Sequence, residues 1–143
     1  MLRILLLTVA VLFNVSSAAL AEPIAATMYK NPQCGCCEEY AKYLRQHGFK
    51  VTVTPTHSMS LISRQHGVPE RLAGCHTMLI GGYVVEGHVP TSAIGKLLRE
   101  RPNIKGISLP GMPEGSPGMT GAKTAPFEVL EISDGPEKVF AVE

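Results

Sequence analysis

The chain has no tryptophan, only 6% aromatic residues, and no block of basic residues within a balance of 13 Lys and Arg against 12 Asp and Glu. Nucleic acid and anionic membrane surfaces recruit proteins through clustered positive charge, so both are poor candidates for partners. No internal repeat and no glycine-rich nucleotide loop is present. What the sequence does have is an apolar start, four cysteines in an unusual grouping, and a tail rich in proline, glycine and methionine.

The start reads as an export signal. Met1-Leu2-Arg3 is short and positive, residues 4–15 are apolar apart from Thr8 and Asn14, and Ser16 leads into small residues ending Ala19-Leu20-Ala21. These are the three parts of a secretory leader. The apolar run falls short of the about 20 residues that span a bilayer. Residues 1–21 are therefore expected to be a signal peptide and residues 22–143 one exported domain; an uncleaved anchor is the alternative. Removing the leader removes only Arg3, leaving 12 basic against 12 acidic residues and no net charge.

The cysteines are Cys34-Gly35-Cys36-Cys37 and, far downstream, Cys75 followed by His76. Thiolate selects soft metals such as Cu(I) and is also the nucleophile of disulfide exchange. In an oxidising compartment, four cysteines can also form two structural bridges. The pairing would be Cys34 with Cys37 and Cys36 with Cys75, since neighbouring Cys36 and Cys37 cannot readily join. A domain of this length, however, can build a core without staples.

Periodicity supplies the frame. Residues 24–29 suit a buried strand broken by Asn31-Pro32. Cys37, Tyr40, Ala41 and Leu44 then share one helix face, with Gly48 placed to cap it. Residues 50–56 read as a strand, and Ser58 can cap a short helix through His66. Residues 77–80 and 83–86 form a hairpin about Gly81-Gly82. Thr91 or Ser92 is placed to cap a last helix that carries Ile94, Leu97 and Leu98 and ends at Pro102. The order β-α-β-α-β-β-α is thioredoxin-like, and it puts the first cysteines at a helix amino terminus, where the dipole favours thiolate. It also gathers Cys34, Cys36, Cys37, Cys75, His76 and His88 at one edge of the sheet.

Thioredoxin-like oxidoreductases normally place a cis-proline before the third strand. Here Cys75-His76-Thr77 stands in its place and offers two donors. That turns an exchange site toward a coordination site. Adjacent Cys36 and Cys37 would strain to reach a single tetrahedral ion, so a multinuclear, thiolate-bridged Cu(I) cluster fits better than one zinc. His76 is expected to ligate the metal or to orient a thiolate. His88 either shares that role or shapes its turn. His47 is explained by the helix end, and His57 and His66 are expected to be exposed. Residues 102–143 form a carboxy-terminal extension: a stiff Pro/Gly loop carrying Met112 and Met119, then a hairpin over residues 127–132 and 138–142. The two thioethers read as Cu(I) ligands or a lid, against an ordinary surface loop.

The run Tyr29-Lys30-Asn31-Pro32-Gln33-Cys34-Gly35-Cys36-Cys37, with Gly74-Cys75-His76-Thr77, Glu86-Gly87-His88-Val89-Pro90 and Pro110-Gly111-Met112 through Gly115-Ser116-Pro117-Gly118-Met119, resembles the CopG-type copper-resistance proteins. The resemblance covers nearly all of the expected mature chain. It implies a periplasmic thioredoxin-like protein whose cysteines hold a copper cluster that interconverts Cu(I) and Cu(II), served by other periplasmic copper-handling proteins. Cys34, Cys36, Cys37 and Cys75 match the family's cysteine positions. The competing expectation is a thiol–disulfide oxidoreductase using Cys34 and Cys37.

Overall fold

The computed structural model describes residues 22–143, so the expected signal peptide, residues 1–21, lies outside the described residues. Strand β1 (Ile24–Lys30) leads into helix α1 (Gly35–Gln46), then β2 (Phe49–Pro55) and α2 (Met59–Gln65). A single 3-10 turn (Glu70–Leu72) precedes the hairpin of β3 (His76–Ile80) and β4 (Tyr83–Glu86), and α3 (Thr91–Glu100) follows. This is the β-α-β-α-β-β-α order expected from the sequence. The extension adds β5 (Gly106–Ser108), β6 (Glu128–Ile132) and β7 (Val139–Val142). No helix among the described residues is long and apolar enough to cross a membrane.

All seven strands form one sheet in the order β2-β1-β3-β4-β5-β6-β7. Strands β1 and β2 run parallel, and β3 lies antiparallel to β1 with His76 opposite Lys30. Alternation along the strands divides the side chains between two faces. On one face Met28, Met78 and Val85 meet Cys37, Tyr40, Ala41 and Leu44 of α1 and Ala93, Ile94 and Leu97 of α3. These are the α1 residues that the sequence spacing assigns to the core. Neighbouring strand residues point the other way: Val84 packs with Val68 and Leu72, and Thr77 Oγ1 lies 2.9 Å from Ser63 Oγ on α2.

Several local expectations are corrected. Pro90, not Thr91 or Ser92, occupies the cap position of α3, and Thr91 is the first helical residue. Its fixed φ and extended ψ start the helix without a side-chain bond. Ser58 does cap α2 by position, but its hydroxyl makes no capping bond. Strand β5 was not foreseen. It runs parallel to β4 and carries the expected carboxy-terminal hairpin into the sheet, which that hairpin extends. A Cβ at Gly106 would overlap the Val84 carbonyl oxygen, which explains glycine at the start of this short strand.

Candidate metal centre

The site lies where β1 ends, β3 begins and β4 ends. Asn31 turns the chain: its side-chain oxygen accepts from the Gln33 amide at 3.0 Å and its carbonyl from the Cys34 amide at 3.0 Å. Cys34 thereby becomes the cap residue of α1, with Cys36 and Cys37 in the first turn. The register His76 opposite Lys30 sets Cys75 against this turn, while Thr77 opposite Glu86 brings Gly87-His88 alongside. A Cβ on Gly74 would lie 2.5 Å from the Gly87 amide nitrogen, so the absence of a side chain there lets the two segments touch.

Cys34 and Cys37 are joined as a disulfide, and Cys36 and Cys75 are free thiols. The first half of the structural-bridge pairing is thus seen and the second is not. Cys36 Sγ lies 3.4 Å from Cys34 Sγ and 3.9 Å from Cys75 Sγ. Cys75 is the hub. Its sulfur is 3.2 Å from Cys37 Sγ, 3.2 Å from His88 Nε2 and 3.6 Å from His76 Nδ1. Two overlapping donor sets result, Cys34/Cys36/Cys37/Cys75 and Cys37/Cys75/His76/His88, each with its ligand atoms within 4.8 Å of one another.

The imidazoles are prepared as neutral donors. His88 Nδ1 is 2.6 Å from the Pro117 carbonyl oxygen. A carbonyl only accepts, so the proton sits on Nδ1 and the Nε2 lone pair faces Cys75. Burial lowers the pKa of His88, and the Pro117 carbonyl opposes that shift. For His76, burial first and His88 second push the value down to about 3. His76 Nε2 is buried with no hydrogen-bond partner among the described residues. Tyr40 packs against both rings, with its centroid 4.9 Å from each while the two imidazoles are 5.6 Å apart, and its hydroxyl donates to the Val89 carbonyl at 2.7 Å. Burial raises the Tyr40 phenol well above its ordinary value. Burial, then the neighbouring Cys36, pushes the Cys75 thiol up to about 12. A cation is needed to draw that proton off, as metal binding to thiols requires.

The methionine loop reaches the site through its backbone. Besides the Pro117 carbonyl, Gly118 packs so tightly on α1 that a Cβ there would lie 2.6 Å from the Tyr40 nitrogen. Met119 follows directly, and Met112, at φ 46°, lies near the other end of the loop; both are half-buried. His57 is exposed as expected, but His66 is half-buried at the end of α2. His47 Nδ1 bonds the Tyr43 carbonyl at 2.7 Å, a helix-end role.

Sequence reasoning did not single out Glu86. It is buried, and its Oε2 accepts the Gly74 amide at 2.8 Å while Oε1 has no partner among the described residues. Burial pushes its carboxyl up to about 7, against about 4.3 in an unfolded chain. Such a group favours folding fully below its unfolded value, and the benefit is lost as pH rises through the folded one. Metal-free protein should therefore lose on the order of 3 kcal/mol of stability between about pH 4 and pH 8 relative to Glu86→Gln. Urea unfolding of both proteins at the two pH values measures this; parallel behaviour would show that the carboxyl is already ionised in the fold.

Together the sheet and its edge define a class: a single-sheet α/β domain carrying a thiol–imidazole centre able to hold metal. The family profile described as "Protein of unknown function, DUF411" matches residues 72–119, which span Cys75, His76, His88 and the methionine loop. Two solved structures of copper resistance protein CopG, form 2 and form 1, are each 41% identical to this chain with TM-score 0.78. Each covers 85% of it, and it covers 99% and 98% of them. No curated protein matches. The chain belongs to the CopG family.

Proposed function

We propose that the protein binds copper at a thiolate-bridged, multinuclear centre in the periplasm and serves copper resistance by interconverting Cu(I) and Cu(II). The observation that carries this reading is the pair of donor sets that share Cys37 and Cys75. A sulfur common to two sets can bridge two ions, which a single tetrahedral site does not need. Soft sulfur with neutral imidazole suits copper, and the unpartnered His76 Nε2 is a buried donor with room in its chemistry for an ion. The relatives named copper resistance protein support copper as the cargo. Cys34, Cys36, Cys37 and Cys75 are the core ligands, His76 and His88 the second donor group, and Met112 and Met119 capping ligands on the methionine loop. Each change of copper oxidation state passes one electron to or from an external carrier. Export is proposed from the leader and the periplasm from the resemblance to CopG-type proteins, with other periplasmic copper-handling proteins as donors and acceptors of the ion.

The Cys34–Cys37 disulfide gives the reading a condition. Those sulfurs cannot act as thiolates while bonded to each other, so reduction precedes loading. Protein reduced and then freed of reductant should take up several Cu(I) per chain, whereas protein kept oxidised should take up about one or none. Copper and thiol titration of both forms tests this, and equal uptake would contradict it. The same disulfide favours a second reading, thiol–disulfide exchange, because Cys34 is half-exposed at the start of α1 and Cys37 is buried. Steady turnover of a peptide disulfide that depends on Cys34 would establish it.

A further inference from the structure

Tyr40 is fully buried on α1, one turn after Cys36 and Cys37. Its ring meets both imidazoles of the centre at nearly the same angle, 28° to His76 and 27° to His88, although those two rings are tilted 50° to each other. Packed aromatic contacts of this kind have preferred geometries and resist rotation of either partner. The hydroxyl fixes the ring in turn, because its bond reaches Val89, the residue directly after His88. His88 sits at the centre of a tight turn closed by the Val89 amide on the Gly87 carbonyl at 3.0 Å. One tyrosine therefore touches both imidazole rings and also holds the backbone that carries one of them. Tyr43, one turn further along α1, grips the residues that follow: its hydroxyl accepts the Thr91 amide at 3.1 Å and lies 2.9 Å from Thr91 Oγ1. Its ring lies against Tyr40 and His47.

We propose that Tyr40 is a positioning residue for the metal centre: it fixes the two imidazoles as one donor pair, with His88 Nε2 and His76 Nδ1 both held toward Cys75. Either ring can turn its nitrogen away only by displacing Tyr40, which has no space to yield in a packed core. A donor pair held in place before the ion arrives binds it without first having to be ordered. Without the hydroxyl, the buried Val89 carbonyl would lose this partner and the turn would shift to find another. His88 would move with that turn. Tyr43 has a separate task, satisfying an amide left free at the start of α3.

This role rests on the imidazoles being donors in the proposed centre, and its test reads the rings both without copper and with it. The full metal-free chain is isotope-labelled at nitrogen, and the ring nitrogens of His76 and His88 are observed by NMR at one pH. Wild type should give a single sharp set of signals for each ring. Tyr40→Phe keeps the packed ring and loses the hydroxyl, and it should broaden or double the His88 signals. On reduced protein in competition with a Cu(I) chelator, Tyr40→Phe should lower Cu(I) affinity about tenfold, while Tyr43→Phe, which also removes a hydroxyl of α1, should leave it within about twofold. Thermal unfolding places the two variants on one scale of stability. A loss of affinity in both variants in step with stability overturns the proposal, as do wild-type ring signals or wild-type affinity in Tyr40→Phe. Wild-type rings that already exchange between orientations overturn it with no variant needed. Wild type that takes up no Cu(I) refutes the copper reading instead, and the ring signals still decide what holds the imidazoles.

Discussion

Cys75→Ser is expected to lower Cu(I) affinity by about 100-fold or more and to reduce copper content at least as severely as Cys36→Ser. The reason is connectivity. Cys75 belongs to both donor sets and touches Cys36, Cys37, His76 and His88, whereas Cys36 belongs to one set only. Serine keeps the size but is a poor ligand for a soft ion. Cys75 is only half-buried, so the fold should survive and the loss should be one of metal, not of structure. Competition against a Cu(I) chelator on reduced protein, with circular dichroism as the folding check, measures it. Full copper retention in Cys75→Ser would remove the bridging sulfur from the account.

Gly87→Ala should be the most damaging single methyl near the site. Gly87 has φ 69°, and a Cβ there would overlap the Leu109 carbonyl oxygen. The left-handed backbone costs an alanine about 1–2 kcal/mol, and forcing atoms into a packed backbone costs a similar further amount. A loss of about 3 kcal/mol should lower Tm by roughly 10 °C or more. The displacement would also move His88 away from Cys75. Gly82→Ala is the control: φ is 89° but nothing lies within 4 Å of the added carbon. It should cost about 1 kcal/mol and leave copper binding intact. If the two variants unfold alike, close packing between the end of β4 and the start of the methionine loop is not what holds His88.

These two positions also show which features could be read from the chain. The α1 face was legible because Cys37, Tyr40, Ala41 and Leu44 repeat at helical spacing, and one topological argument brought Cys75, His76 and His88 to the first cysteines. Strand β5 was not legible. Gly106-Ile107-Ser108 is too short to show alternation, and its glycine serves a backbone approach to Val84 that only the fold creates. The Pro90 cap was masked by the stronger capping residues that follow it. The deeper omissions concern partners that carry no sequence signal. The Pro117 carbonyl fixes the His88 tautomer, yet backbone groups are the same at every position. Tyr40 was assigned to the core correctly, but its packing against two imidazoles depends on strands distant in sequence. Lys30 and Glu86 are charged residues at strand ends, where burial is invisible without the third dimension.

The central claim is that sulfur bridges more than one copper ion at this edge of the sheet. Copper X-ray absorption on the reduced, Cu(I)-loaded protein tests it most directly. The account predicts sulfur-dominated coordination with a distinct copper–copper scattering feature, both lost in Cys75→Ser. Isolated copper bound by nitrogen and oxygen, with no copper–copper feature, would contradict it.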